Sequence, residues 1–289
     1  MTSPMQLLVE RFERDERLDG IAELLGGWFD AVVKRGPLKD LLSGTWFGHP
    51  IHPPLTAATV GAWSWAGVLD TFGGEASEAA ADRLIGLGIL AAIPTAATGW
   101  NELADTDGPP KRLAALHGLG NAVVLGSFVL SYAARKAGWR GVGRSLSILG
   151  SGLVAGTAYL GGHLSFVRGI GVNQTAFERP KKRWTAVLSE DELVDGKIAY
   201  ARADGVELLL YRSGEEMFAL SSRCSHRGAP LQRGKLSTED GCTAIVCPWH
   251  GSTFCLEDGR IVRGPATSPQ PAFEVRVQDG KVEVRPRPV

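Results

Sequence analysis

The sequence predicts a two-part chain of mixed α plus β class, an N-terminal four-helix transmembrane bundle followed by an antiparallel β domain. Three observations predict it. Between Leu55 and Val167 lie four long segments almost free of charge. After Trp184 the chain changes to short β-rich runs separated by turn dipeptides. Two Cys/His pairs sit among those runs, and the other four of the six histidines all precede them. The overall composition conceals this partition, with 289 residues, 31 basic against 31 acidic and 44% hydrophobic residues. With no net charge, no nucleic-acid partner is expected.

The opening region, residues 1–44, places Leu7, Leu8, Phe12, Leu18, Ile21, Leu24, Leu25, Phe29, Val32 and Val33 among Glu, Arg, Asp and Lys. This spacing predicts amphipathic helices, lying in a membrane interface, on a partner, or as a solvated cap on the bundle. It is too charged for a cleavable signal peptide.

The region 45–178 holds the charge-poor segments Leu55–Leu69, Leu84–Asn101, Leu113–Ala134 and Ser145–Val167. Most reach the roughly 18 residues that cross a hydrocarbon core, and the first approaches that length if Pro53 and Pro54 open its helix. The alternative is a soluble bundle of buried helices. Against it stand the lack of any charged stripe and the run Gly150, Gly152, Gly156, Gly161 and Gly162, costly in a soluble helix but suited to close helix contacts in lipid. Basic residues set the orientation. With the N-terminus inside, the inner segments hold Lys34, Arg35, Lys39, Lys111, Arg112, Arg168, Arg179, Lys181, Lys182 and Arg183, whereas the outer ones hold Arg83, Arg135, Lys136, Arg140 and Arg144. This predicts a bacterial-type inner (plasma) membrane protein with both termini in the cytoplasm.

Residues 179–184 form a short basic linker interrupted by Pro180, its Lys181, Lys182 and Arg183 suited to anionic lipid. Beyond it, residues 185–289 carry runs such as Val206–Tyr211, Met217–Leu220, Thr243–Val246 and Phe273–Val277. They are separated by Asp204-Gly205, Ser213-Gly214, Asp258-Gly259 and Asp279-Gly280. Such punctuation predicts antiparallel strands.

Within this domain Cys224-Ser-His226 is followed, after twenty residues, by Cys247-Pro-Trp-His250. Two thiolates on one iron and two imidazoles on the other would make a [2Fe-2S] cluster of raised potential. Structural zinc is the alternative, but its usual pattern pairs CxxC with HxxxH, whereas each loop here has one Cys and one His. Gly228 and Gly251 follow the pairs, as tight loops require. The stretch from about Trp184 to Arg287 resembles a Rieske ferredoxin domain, with CSHRGAP and CPWHGSTF as its cluster loops. The resemblance implies Cys224, His226, Cys247 and His250 as ligands and an electron-transfer function. Relatives in quinol-oxidising complexes join their loops by a disulfide, and the matching positions here are Ala229 and Trp249. Cys242 and Cys255 are read as ordinary buried thiols. Ser252 matches a hydroxyl that bonds the cluster sulfide in high-potential members, whereas their nearby tyrosine is Phe254 here. The resemblance therefore implies a potential in the low to middle part of the range.

The remaining histidines are His49, His52, His117 and His163. With four alternating spans they fall on one membrane face, with Trp100, Asn101 and Glu102 at the end of the second span. Ionisable groups at that depth are functional candidates. They could ligate haem b, hold another metal ion with Glu102 or Asp105, or bind a quinone; otherwise, with Asn121, they fix helix ends by hydrogen bonds. His117 and His163, inside spans, are the better ligand candidates, whereas His49 and His52 fall in a Pro-rich turn outside the first helix. Residues 41–177 also resemble an uncharacterised four-helix bacterial membrane domain often joined to a Rieske domain. The motifs are Leu41-Leu-Ser-Gly-Thr-Trp-Phe-Gly-His-Pro-Ile-His-Pro, Leu116-His-Gly and Leu160-Gly-Gly-His-Leu. No chemistry comes with that resemblance.

Two functions follow as expectations. One is a membrane-tethered electron carrier between an unidentified redox partner protein and the histidine end; the other is an oxidoreductase acting there on a substrate or quinone, with the cluster as internal relay. An oxygenase catalytic subunit is not expected, because no histidine follows His250 to build a mononuclear iron site.

Overall fold

The computed structural model describes residues 3–287. The described chain holds seven α-helices: α1 (Pro4–Arg14), α2 (Asp19–Val32), α3 (Pro37–Ser43), α4 (His52–Phe72), α5 (Glu78–Ala104), α6 (Pro109–Lys136) and α7 (Arg140–Phe166). Ten strands follow: β1 (Thr185–Ser189), β2 (Ile198–Ala203), β3 (Val206–Ser213), β4 (Glu216–Ser221), β5 (Lys235–Glu239), β6 (Cys242–Val246), β7 (Thr253–Cys255), β8 (Ile261–Arg263), β9 (Ala272–Gln278) and β10 (Lys281–Pro286). The fold divides into two compact units. One joins the chain up to Lys34 with Ile51–Ile170; the other joins Arg35–Pro50 with the chain from Gly171 onward. Sequence reading assigned all of residues 35–50 to the helical part, so this division departs from the expected boundaries.

In the helical unit each long helix starts or stops where local chemistry dictates. Pro53 and Pro54 occupy the first turn of α4, where missing amides cost nothing, so the helix begins at His52 itself. This corrects the expectation that His52 lies in a turn outside the helix. Gly108 at φ 65° and Pro109 restart the chain as α6. α4 packs on α5 and α7, and α6 on the same two, so α4 and α6 lie diagonally opposite. Between them Trp63 stacks on Phe128 with ring centroids 4.5 Å apart. α1 rests on α6, and α2 on α5 and α6, tied there by Arg112 to Asp19 (2.8 Å) and Arg168 to Glu13 (2.7 Å).

Polarity in this unit is distributed outward-apolar. Leu90, Ile93, Val123 and Leu149 are exposed by 62–65%, while Asp70, Ser131, Arg135 and Ser147 are buried. The Arg135 guanidinium bonds Asp70 and Asp82, the latter at 2.9 Å, and Arg140 reaches the same Asp82 at 3.0 Å. Among the described residues two helices, Glu75–Ala104 with its leading turn and Pro109–Lys136, are long and apolar enough to cross a membrane. Four were expected. α4 and α7 match the length but not the apolarity: α4 carries His52, Thr56, Thr59, Ser64 and Asp70, and α7 carries Arg140, Arg144 and several serines and glycines.

The second unit is antiparallel throughout. One sheet runs β1-β10-β9-β4-β3-β2 and the other β5-β6-β7-β8. Tight hairpins close at Asp204-Gly205, Asp240-Gly241 and Asp279-Gly280, where both residues take positive φ as type I′ turns demand. Leu208, Leu209 and Leu210 are all fully buried, so β3 is covered on both faces. Leu208 and Leu210 join Phe273, Val282 and Val284; Leu209 joins Leu220, Ile245, Phe254 and the two thiols Cys224 and Cys247.

Candidate functional site

Cys224 follows β4 and Cys247 follows β6, and each opens a loop of the same design. The Cys224 amide donates to Ala229 O (2.9 Å) and the Gly228 amide to Cys224 O (2.8 Å); the Cys247 amide donates to Ser252 O (2.8 Å) and the Gly251 amide to Cys247 O (3.2 Å). Gly228 and Gly251 sit at φ 74° and 76°, a conformation that a Cβ would strain. This folding brings like donors together. The Cys224 thiol hydrogen-bonds Cys247, which draws Cys247 down to about 7 against its burial; Trp249 and His250 amides and Arg35 assist. The same bond, with burial, pushes Cys224 well above the ordinary thiol range. On the other side the His226 and His250 rings meet edge to face, centroids 5.1 Å apart.

Burial holds the His226 imidazole well below its usual range, helped by Arg227, His250 and Lys39, so it is neutral as ligation requires. Its Nδ1 is buried and has no hydrogen-bond partner. Among the described residues, no three His, Cys, Asp or Glu side chains gather as one metal ion would need. Two thiols paired apart from two imidazoles fit a two-iron cluster and do not fit a single zinc. Residues 183–274 match the family described as Rieske [2Fe-2S] domain. The 3-phenylpropionate/cinnamic acid dioxygenase ferredoxin subunit of Photorhabdus laumondii is 36% identical over 101 residues, which cover 34% of this chain and 90% of that protein.

The chain belongs to the Rieske [2Fe-2S] family.

The corresponding subunit of Escherichia coli K12 is 37% identical over 26% of this chain and 68% of its own length. Among solved structures, the ferredoxin of carbazole 1,9a-dioxygenase from Nocardioides aromaticivorans IC177 aligns at 30% identity over 36% of this chain and 98% of that one, with TM-score 0.33. Residues 48–174 match the family described as predicted membrane protein (DUF2231). The fusion of these two families is the one read from the sequence, and the Rieske cluster is its cofactor.

Around the Rieske loops, Ser252 is fully buried and its Oγ accepts the Ala266 amide at 3.0 Å, which leaves its own O–H to donate. Phe254 is buried in the core that holds both thiols, and Trp249 is half exposed beside His250, ring centroids 6.4 Å apart. Sequence reasoning missed residues 35–50. Arg35 donates to Trp249 O at 3.1 Å and lies over Gly251, where an added Cβ would come within 2.8 Å of its guanidinium. Asp40 accepts the Gly264 amide at 2.9 Å, Thr45 donates to Ala266 O at 3.1 Å, and Lys39 is buried. No local pattern marks these partners, which are more than 200 residues away in sequence.

Two substitutions are expected to lower the Rieske midpoint potential. Ser252→Ala removes a hydroxyl donor that favours the added electron, and Arg35→Gln removes a positive charge beside the Cys247 loop. Each shift is expected at tens of millivolts, up to about the 59 mV that changes a one-electron equilibrium tenfold. Redox titration followed by electron paramagnetic resonance measures both; an unmoved midpoint refutes either role.

The helical unit contains a cavity of about 280 Å³ whose wall includes His52, Trp100, Glu102, His117 and Asn121. By water-sized accounting this is room for on the order of twenty water molecules. His163 does not line it. At two residues from cavity-lining Gly161 it is turned by about 200° around α7, and its Nε2 instead lies 3.9 Å from Glu13. Asn101 is buried but lies outside the cavity wall, and His49 is in the other unit, its Nδ1 2.8 Å from Pro50 O. The pair that the structure brings together is therefore His52 with His117, not His117 with His163.

Proposed function

We propose that this protein is a membrane-tethered Rieske electron carrier that passes single electrons between a redox partner and the histidine-lined cavity of its helical unit. The carrying observation is the sorting of donors in the two loops, thiol with thiol and imidazole with imidazole, together with the buried, unpartnered Nδ1 of His226. On this reading Cys224 and Cys247 hold one iron, and His226 and His250 the other. The cluster, when bound, accepts and returns one electron. Half-exposed Trp249 beside His250 offers an aromatic contact for a partner, and relatives named as dioxygenase ferredoxin subunits favour an oxygenase or its reductase in that role.

Membrane tethering is supported by the large apolar side chains on the exterior of the helical unit and by its two long apolar helices, with α4, α5, α6 and α7 as a four-helix transmembrane bundle. The basic residues favour a plasma membrane with the Rieske domain in the cytoplasm. The proposed domain limits are 1–44, 45–178, 179–184 and 185–289, with the exchange of residues 35–50 noted above. The cavity also favours a second reading, a membrane oxidoreductase that acts on a substrate or quinone at the histidine end and uses the cluster as relay. The deciding experiment reduces the cluster in the full chain, then follows its re-oxidation in wild type and in the His52→Ala/His117→Ala protein. Slowed re-oxidation is expected; unchanged kinetics refute an electron path through the cavity. Re-oxidation that requires an added quinone in the wild type selects the second reading.

A further inference from the structure

The two halves of the long-helix set repeat one device. On α4, His52 is followed four residues on by Thr56; across the hairpin on α5, Thr95 is followed four residues on by Gly99. On α6 and α7 the corresponding residues are His117, Asn121, Thr157 and Gly161. Each histidine donates from Nδ1 towards the carbonyl of its hairpin partner: His52 to Thr95 O (3.1 Å), with Thr98 Oγ1 also at 3.0 Å, and His117 to Thr157 O (2.9 Å). A carbonyl only accepts, so each Nδ1 carries a proton, and in the neutral imidazole each Nε2 then presents its lone pair. Each Nε2 meets the side chain of the next turn, Thr56 at 3.3 Å and Asn121 at 3.1 Å. The facing glycine seats each ring. A Cβ on Gly99 would come within 2.8 Å of His52 Cε1, and one on Gly161 within 3.0 Å of His117 Cε1.

Two oriented neutral imidazoles thus stand on diagonally opposite helices and line one cavity. Small residues form much of the wall, with Ala96, Gly99, Gly118, Ala122, Ala158 and Gly161 contributed by three of the four helices. A bare metal ion is poorly served, because no third His, Cys, Asp or Glu joins the pair among the described residues. A haem supplies four equatorial nitrogens itself and asks the protein for two axial ligands, and a backbone-anchored Nδ1–H is the support that ligating imidazoles need.

We infer that the cavity is a haem b site in which His52 and His117 are the two axial ligands. The inference rests on the electron-carrier reading above for its purpose but not for its geometry. It gives Gly99 and Gly161 their role, which is to leave the rings room to take one fixed orientation. Thr56 and Asn121 release Nε2 when the iron binds. His163, facing Glu13, takes no part.

The test uses the full chain in detergent, produced with iron and 5-aminolevulinate and then titrated with hemin. The expected result is a Soret band that shifts on reduction, one haem per chain by the pyridine haemochromogen method, and a low-spin six-coordinate spectrum. His52→Ala and His117→Ala should each abolish the low-spin spectrum and weaken hemin binding at least tenfold, whereas His163→Ala should leave both unchanged. Because a cavity variant can misfold, His117→Gly is assayed with added imidazole, which should restore the low-spin spectrum. The Rieske signal of the same samples reports that the rest of the chain is intact. A chain with a full Rieske signal and no Soret band after titration overturns the inference, as does a Soret band that survives in the His52→Ala/His117→Ala protein or a hydroquinone recovered in place of haem. These outcomes separate from the fate of the electron path. Slowed cluster re-oxidation in the double variant without any haem keeps the path and removes the haem; a haem with unchanged re-oxidation does the opposite.

Discussion

Replacing Cys224 with serine, or His226 with alanine, is expected to leave the purified chain without its iron-sulfur cluster. Iron and acid-labile sulfide should both fall from two per chain to near zero, and the electron paramagnetic resonance signal of the reduced cluster should vanish. In the proposed ligand set each residue would supply one of the two protein donors to its iron, and a hydroxyl at position 224 is a poor substitute for thiolate. Loss of the group also removes the partner for buried loop atoms such as His226 Nδ1, so the β unit should unfold at lower denaturant. Cys242→Ser provides the contrast. That thiol lies on β6 outside the loops, pushed up to about 11 by burial and by Cys255, and its replacement should leave iron content unchanged. Full iron content in Cys224→Ser would refute the ligand assignment.

Arg135→Leu should destabilise the helical unit by about 3–5 kcal/mol, the usual cost of breaking a buried ion pair from one side. The Arg135 side chain is 1% exposed and Asp70 4%, so removing the guanidinium strands a carboxylate in an apolar interior. Asp82→Asn should cost less, because Asp82 is 22% exposed and keeps Arg140 nearby. Adding Asp70→Leu to Arg135→Leu should recover most of the loss, since the stranded charge goes with it. Unfolding in detergent followed by circular dichroism reads all of these. A loss under about 1 kcal/mol for Arg135→Leu would show that lipid, detergent or water reaches Asp70.

Much of this architecture was written locally. Asp-Gly pairs marked the hairpins at residues 204–205 and 279–280 because a type I′ turn needs two residues of positive φ in sequence. The Cys/His loops were legible because four-residue spacing to a glycine is itself the loop geometry. The charge-poor segments located the four long helices and stopped beside Asp70, Arg135 and Arg144, where Arg135 binds the Asp70 carboxylate and Arg144 the Asp70 backbone carbonyl. Rotation about a helix axis was not legible. His163 and His117 both fall inside long helices, but only packing decides that one faces Glu13 and the other the cavity. The pairing of Asp40 with Gly264 and of Thr45 with Ala266 was likewise hidden, because contacts so distant in sequence leave no period to read. Counting charges alone also overstated the number of strongly apolar helices, since hydroxyls, glycines and an imidazole reduce apolarity without adding charge.

The membership of Arg35–Pro50 in the β unit changes how separable this Rieske domain is. A fusion made by appending a ferredoxin to a helical protein would be modular, and cutting at the basic linker would release a working carrier. Here the excised piece lacks part of its own fold: the Gly264 amide loses Asp40, the Ala266 carbonyl loses Thr45, and the Trp249 carbonyl loses Arg35. The fragment 171–289 should therefore be less stable and lower in potential than the same domain in the full chain, and a synthetic peptide of residues 35–50 should restore part of both. The chain crosses between units three times, so the two compact units are interleaved along the sequence even though the family matches, residues 48–174 and 183–274, follow one another.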